Sequence, residues 1–327
     1  MQYTQLGERG PRVSRIAFGN WSAGGDWGQV DRDAAIAATR EALSLGINLF
    51  DTARAYGFGA AEQLLGEALR PEIQSARGSI VIATKGGLRK DGGATVRDSS
   101  PDALRRDLEA SLGFLGTDYV DIYQVHWPDP ATPITTTAET LDRFVQEGLV
   151  RSVGVSNYDP AQMTTFQQVR PIDTLQPPYH LFRRDIEGAI LPFAREHGIG
   201  VLVYGPLAHG LLSGRMTIDT TFAPDDWRSS SDLFTGDSFR KNLAVVRDLA
   251  GFAARRDATV AQLAVAWTLA NPGVDVAIVG ARSADQIRQT TPGADLRLTG
   301  EDLAQIELML RGEVAVGGPA PEAMPRS

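Results

Sequence analysis

Residues 48–62 read NLFDTARAYGFGAAE, and QLLGEAL follows directly. Gly57 and Gly59 come after an apolar run and before a helical pattern, where a dinucleotide-binding Gly-x-Gly-x-x-Gly turn would sit. Position 62 is Glu, so the third glycine is missing, and Asp51 and Tyr56 stand between the apolar run and the first glycine. Two readings follow. Either this is a degraded phosphate-binding turn, or Asp51 and Tyr56 carry the chemistry and the glycines only let the chain turn.

The rest of the chain decides between them. Apolar runs at 15–19 (RIAFG), 47–51 (INLFD), 79–85 (SIVIATK), 119–126 (YVDIYQVH), 150–156 (VRSVGVS), 173–176 (DTLQ), 198–204 (GIGVLVY) and 275–280 (DVAIVG) read as strands. Helical patterns follow at 33–45, 60–69, 101–115, 137–147, 160–169, 187–197 and 238–270. The third is the clearest: Ser100 is its N-cap, Pro101 its first residue, and Leu104, Leu108, Leu112 and Leu115 form one stripe. Eight strands, each followed by a helix, predict a closed (β/α)8 barrel, one domain over residues 1–327. The stretch YTQLG…PRVS before the first strand reads as a β-hairpin over the N-terminal mouth. A doubly wound sheet would carry its phosphate-binding turn after the first strand, and GNWSAGGDWG lacks that spacing.

Composition narrows the function. The 327 residues are 43% hydrophobic, enough for a large core, and carry 40 acidic against 32 basic side chains for a net charge of −8. No Lys/Arg run stands out, which argues against nucleic acid or an anionic membrane as partner. Cys is absent, which rules out disulfides and thiolate metal sites. The N-terminus lacks an apolar signal core, and no uncharged stretch is long enough to span a bilayer. The expectation is a cytoplasmic protein acting on a small molecule, with its oligomeric state left open.

Barrel chemistry belongs at the C-terminal strand ends. There the sequence places Asp51 with Tyr56, Lys85, His126, Ser156 with Asn157, Gln176, and Tyr204. Each has an ordinary alternative. Asp51 could cap a turn, His126 could be a hydrogen-bonded structural residue, and Tyr56 could pack on the rim. Lys85, after IVIAT, is costly unless paired with a carboxylate. The weight comes from their convergence on one mouth. The four histidines show no metal-binding spacing. A glycosidase needs two facing carboxylates, and a carboxylate beside Lys85 would keep it protonated and poorly nucleophilic as a Schiff-base former. A tyrosine general acid is left. Its phenol, with a pKa of about 10, needs a neighbouring cation to work near neutrality. Lys85 supplies it, Asp51 holds Lys85, and His126 donates to the developing alkoxide. That is apparatus for carbonyl reduction with a bound nicotinamide as hydride source.

The run Asp51–Tyr56 (DTARAY), ATKGG around Lys85, LGTDYVDIYQVHWPD with His126, and GVSN at 154–157 occur together in this order. With them the chain resembles the aldo-keto reductase superfamily over essentially its whole length, in a short-loop, bacterial-type form. The resemblance implies Tyr56 as proton donor with Lys85, Asp51 and His126 completing a tetrad. It also implies a dinucleotide bound without a glycine fingerprint, so Gly57 and Gly59 only turn the chain. Ser156, Asn157 and Gln176 would hold the carboxamide, Tyr204 would stack on the nicotinamide, and Gly19, Asn20 and Trp21 would meet its ribose. The loop 204–215 is similar to one that closes over the pyrophosphate, with Gly205, Pro206, Leu207, Gly210, Leu211, Gly214 and Arg215. Gly280, Ala281, Arg282 and Gln286 match the adenosine end, while Gln289 and Thr290 stand where the family has Glu-Asn. Arg282 with Ser283 suits a 2′-phosphate, which makes NADPH the expected cofactor. Asp285 nearby is the residue that could argue for NADH.

For the substrate, Trp21, Tyr56, Phe58, His126 and Trp127 are the candidates, with Trp27, Trp227 and Phe234 on neighbouring loops. They suit a ring-bearing or apolar carbonyl, or a sugar face. The 216–237 insertion is not legible. Another reading shares fold and cofactor: a nicotinamide-binding regulatory subunit of the channel β-subunit type, with little turnover. A barrel hydrolase or lyase would instead act without nicotinamide.

Overall fold

A computed structural model describes residues 1–25, 30–92, 94–223, 226–231 and 233–311. Eight parallel strands close into a barrel: β3 (Ile16–Gly19), β4 (Leu49–Asp51), β5 (Val81–Gly86), β8 (Val120–Val125), β9 (Val150–Ser156), β10 (Thr174–Gln176), β11 (Gly200–Tyr204) and β12 (Val276–Gly280). Closure comes from β12 pairing with β3, Gly280 opposite Gly19. Both faces of these strands are covered, which is why they read as continuous apolar runs. Ala17, Leu49, Ala83, Ile122, Leu202 and Val276 fill the interior, while Ile16, Phe18, Phe50 and Ile82 pack outward on the helices.

Two hairpins flank the barrel. β1 (Tyr3–Gln5) and β2 (Arg12–Ser14) pair antiparallel at its N-terminal end, and Leu6 and Val13 join the interior cluster there. The expected hairpin is therefore a plug of the lower mouth. β6 (Leu88–Asp91) and β7 (Ala94–Arg97), immediately after β5, form a second hairpin that the sequence reading did not anticipate.

The helices are α1 (Arg32–Ser44), α2 (Ala60–Ala68), α3 (Arg70–Ser75), α4 (Pro101–Leu115), α5 (Ile134–Gln146), α6 (Pro160–Gln167), α7 (Ile190–Glu196), α8 (Gly236–Ala254), α9 (Val260–Ala270), α10 (Ala284–Thr290) and α11 (Gly300–Leu310). Ser100 caps α4 by accepting from the Ala103 N–H, and left-handed Gly116 ends it. The continuous helix expected over 238–270 is two helices. Thr259 and Gln262 form a capping box that starts α9, after a left-handed turn at Asp257. Among the described residues no helix is long and apolar enough to cross a membrane.

At the lower end, three aspartates complete the staggered ladder. Asp121, Asp173 and Asp275 accept the backbone N–H of Ile82, Val153 and Val201 on the adjoining strands, at 2.9, 2.8 and 2.8 Å. Asp121 also takes the Arg77 guanidinium at 2.7 Å, both side chains largely buried. Asp121→Ala strands a buried N–H and takes the ion partner from the largely buried Arg77 guanidinium, so chemical denaturation should show a loss of about 3 kcal/mol. Cofactor affinity should stay at the wild-type value, because the change lies at the opposite end from the upper mouth. A stability change below about 0.5 kcal/mol would contradict this role.

Candidate active site

The strand register gathers the polar residues at one mouth. Asp51 lies opposite Gly19, Ser156 opposite Gln176, and Tyr204 opposite Ile278 at the strand ends. Lys85 sits near the end of β5, and His126, just past β8, donates its N–H to the Gly86 carbonyl.

Lys85 is buried to 1% exposure, and its ammonium uses its three donors on three oxygens. They are Asp51 Oδ1 at 2.7 Å, the Thr52 carbonyl at 2.9 Å and the Tyr56 hydroxyl at 3.4 Å. Gln176 Nε2 donates to the second Asp51 oxygen at 2.8 Å, so the carboxylate is held from both sides. Burial pushes Lys85 below the ordinary lysine range, against the pull of the Asp51 charge. The His126 ring stands edge-on to Tyr56, centroids 5.7 Å apart. Burial, then the Lys85 charge, holds His126 well below the ordinary histidine range, so the imidazole is neutral. Its Nδ1 is buried without a hydrogen-bond partner among the described residues, which leaves Nε2 to serve the cleft.

Tyr56 reaches this position through a tight turn. Gly57, Phe58 and Gly59 are consecutively left-handed, with φ of 59°, 48° and 111°. Glycine meets two of these three requirements without steric cost. A Cβ on Gly24 would press within 2.7 Å of the Tyr56 carbonyl carbon, so the first loop backs directly onto the tyrosine. The glycines shape the turn, and neither lines the cleft.

The mouth opens into a cleft of about 440 Å³, within the range of ligand pockets. Gly19, Trp21, Asp51, Tyr56, His126 and the Ser156–Asn157–Gln176 group line its inner end. Tyr204 to Leu207, Gly210 and Arg215 line the wall, and Gly280, Ala281, Arg282, Gln286, Gln289 and Thr290 the outer end. The inner polar groups are already wired together. Asn157 donates to Ser156 Oγ and the His126 carbonyl and accepts from the Tyr204 hydroxyl at 2.9 Å, while Ser156 Oγ donates to the Gln176 carbonyl.

Other expected site residues lie off the cleft. Asn20 is buried, its amide donating to the Ala61 carbonyl, and Leu211 is core. Gly214 is exposed beyond the lining, in a left-handed turn at φ 73°. Phe58 is covered by Arg54 and Lys90, and Trp127 by Arg97. Lys90 and Arg97 come from the unanticipated hairpin, which is why the two rings face cations and not the cleft. Phe234 is buried among Phe222, Trp227 and Phe239. Trp27 lies outside the described residues.

Conversely, the cleft is lined by His209 and Arg228, which the sequence did not single out. His209 lies within a second left-handed run, Ala208 to Gly210, and burial with nearby Arg183 and Arg228 brings it down to about 3. Arg228 pairs with Asp226 at 2.5 Å and stands beside Arg282. Among the described residues no group of three metal-ligating side chains comes together.

The model of the Aldo/keto reductase family matches residues 15–311. The chain belongs to the aldo/keto reductase family. This reductase is 39% identical to the aldo-keto reductase YhdN of Bacillus subtilis, covering 96% of this chain and 95% of that protein. It is 33% identical to an NADH-specific methylglyoxal reductase of Escherichia coli, covering 92% and 96%. A glycerol dehydrogenase structure from Gluconobacter oxydans superposes with a TM-score of 0.88 at 38% identity, covering 98% of both chains. The chain is thus an oxidoreductase of a family that uses a nicotinamide cofactor. The cleft fits that group. Gly280 and Gly205 lack side chains where a Cβ would meet nothing closer than 3.7 and 3.8 Å, giving a backbone cradle. Amide and hydroxyl groups converge at the inner end, and Arg215, Arg228 and Arg282 at the outer end suit phosphates.

Proposed function

We propose that this reductase converts an aldehyde or ketone to the alcohol, or runs the reverse oxidation, with Tyr56 as general acid. The observation that supports this most is the single ammonium of Lys85 joining buried Asp51 to the Tyr56 hydroxyl on the cleft wall. When bound, the nicotinamide supplies hydride to the carbonyl carbon. Tyr56 gives its proton to the carbonyl oxygen as charge develops there. The phenolate left behind gains about 5 kcal/mol from an ammonium at 3.4 Å, at an effective dielectric of about 20 and before screening. Neutral His126 donates to the same oxygen from Nε2 and polarises it without losing a proton. Asp51, tied to Gln176, keeps Lys85 charged and in place.

The cofactor we propose is NADPH. Arg282 and Arg228 share the outer rim of the cleft, and a 2′-phosphate there meets guanidinium forks. Asp285, the residue that could serve a free 2′-hydroxyl, is engaged by Arg288 at 2.6 Å. The NADH specificity in the name of the E. coli relative makes the preference worth measuring. Fluorescence titration should give a Kd for NADPH roughly ten- to a hundredfold below that for NADH, and Arg282→Ala should erase most of the difference. Equal wild-type affinities, or a mutant that loses both cofactors alike, would show that Arg282 does not read the phosphate.

A second reading rests on the similarity to a probable voltage-gated potassium channel subunit beta of Oryza sativa, 31% identical over 96% of this chain and 98% of that one. A regulatory subunit with little turnover would give one burst of NADPH oxidation per site with a panel of carbonyls. The enzyme proposed here gives many turnovers.

A further inference from the structure

A second buried carboxylate stands behind the catalytic strand. Glu62, in the first turn of α2, has 0% exposure, where an ionisable side chain is costly unless it is satisfied. Its Oε1 accepts from the Thr84 hydroxyl at 2.6 Å, and its Oε2 is buried with no hydrogen-bond partner among the described residues. Thr84 immediately precedes Lys85. Successive side chains of a strand point to opposite faces, so Lys85 enters the mouth on one side of β5 while Thr84 meets α2 on the other. The same strand also holds the tyrosine loop: Arg54, two residues before Tyr56, donates its N–H to the Lys85 carbonyl at 3.0 Å. The Arg54 side chain lies between the Phe58 and Phe114 rings, at 5.7 and 5.3 Å, within electrostatic reach of Glu62.

We propose that Glu62 is a positioning residue of the proton-transfer site: through Thr84 it pins β5 at Lys85, and it supplies the second negative charge that holds the ammonium. This rests on the roles given above to Tyr56 and Lys85. The groups facing Lys85 are Asp51 from β4 and Tyr56 and His126 from the loops after β4 and β8, while Glu62 from α2 acts on it from behind the strand. Those facing Glu62 are Thr84, Ser111 and Asp107 of α4, Arg54, and Tyr123 of β8. Lys85 gains from the Glu62 charge after that of Asp51. Burial raises Glu62 above the ordinary carboxyl range, and Thr84, Ser111 and Arg54 draw it back. Of these neighbours only Glu62 combines a hydrogen bond to the residue next to Lys85 with a charge that Lys85 feels.

The test compares Glu62→Gln and Thr84→Val with the full-length wild type across the pH range. Glu62→Gln keeps an oxygen for the Thr84 hydroxyl and removes only the charge. It should bind NADPH within about twofold of wild type, lose about tenfold in kcat, and move the alkaline limb of the kcat profile down by roughly one pH unit. Thr84→Val breaks the tie and also removes a hydrogen bond that draws the Glu62 carboxyl down, so kcat should fall by about threefold or more, with a smaller movement of the limb than in Glu62→Gln. A Glu62→Gln profile that superimposes on wild type overturns the proposal. If Glu62→Gln does not fold, Thr84→Val decides alone, and a wild-type kcat overturns it. Lys85→Met, run alongside, separates the two failures. If it keeps the wild-type rate, the role of Lys85 falls and this proposal with it. If it is inactive while Glu62→Gln behaves as wild type, only Glu62 loses its role.

Discussion

Tyr56→Phe should lower kcat by roughly two to four orders of magnitude while leaving the Kd for NADPH within about twofold of wild type. The phenylalanine keeps the ring against Trp21 (6.0 Å, stacked) and His126, so the shape of the inner cleft persists. What is lost is the one hydroxyl bonded to Lys85 at 3.4 Å. A group that acts only as charge develops on the carbonyl oxygen contributes to the transition state and little to ground-state binding. Stopped-flow and steady-state rates with equilibrium titration separate the two. A variant that keeps more than about a tenth of the wild-type kcat removes Tyr56 from the proton-donor role.

Lys85→Met should be comparably damaging, for a different reason. The tyrosine remains, but the phenolate formed after proton donation has no cation beside it. The substitution also leaves Asp51, 3% exposed, buried without its ion partner and held by Gln176. Removing one partner of such a pair typically costs about 3–5 kcal/mol of stability. The informative comparison is therefore Lys85→Met against the double variant Asp51→Asn/Lys85→Met. The double variant should recover stability, because the uncompensated charge is gone, and should remain catalytically impaired by the same orders of magnitude. Recovery of rate along with stability would mean that Lys85 serves the fold and not the chemistry.

The barrel was legible because its strands are buried on both faces and each therefore appears as an unbroken apolar run. The positions proposed here as catalytic stand out in the sequence for the same reason: Asp51, Lys85 and His126 are polar residues at the ends of runs that are otherwise apolar, where only the mouth tolerates them. The β6–β7 hairpin was missed because it is half exposed. Arg89, Lys90 and Asp91 are three consecutive charged residues with no apolar alternation, and the cue is the glycine pair that follows. That omission carried through to Phe58 and Trp127, whose covering cations sit on the hairpin or, for Arg54, in the Tyr56 loop. His209 and Arg228 escaped notice on other grounds. Ala208 and His209 adopt left-handed backbone at φ of 47° and 54°, a conformation that neither residue type advertises. Arg228 lies in the 216–237 insertion, whose Ser, Thr and Asp content gave no periodicity to place it. Glu62 carries no cue to its burial, because nothing in AAEQLLG marks a carboxylate that the strand behind it will bury.

We propose that hydride passes from a bound nicotinamide to a carbonyl carbon in this cleft, turnover after turnover. It is tested most directly by incubating the protein with a carbonyl panel and NADPH deuterated at the transferable position, and measuring the alcohol by mass spectrometry. Many equivalents of alcohol per protein are expected, each carrying one deuterium on the carbinol carbon. Unlabelled alcohol, or labelled alcohol that stops at one equivalent per site, would contradict it.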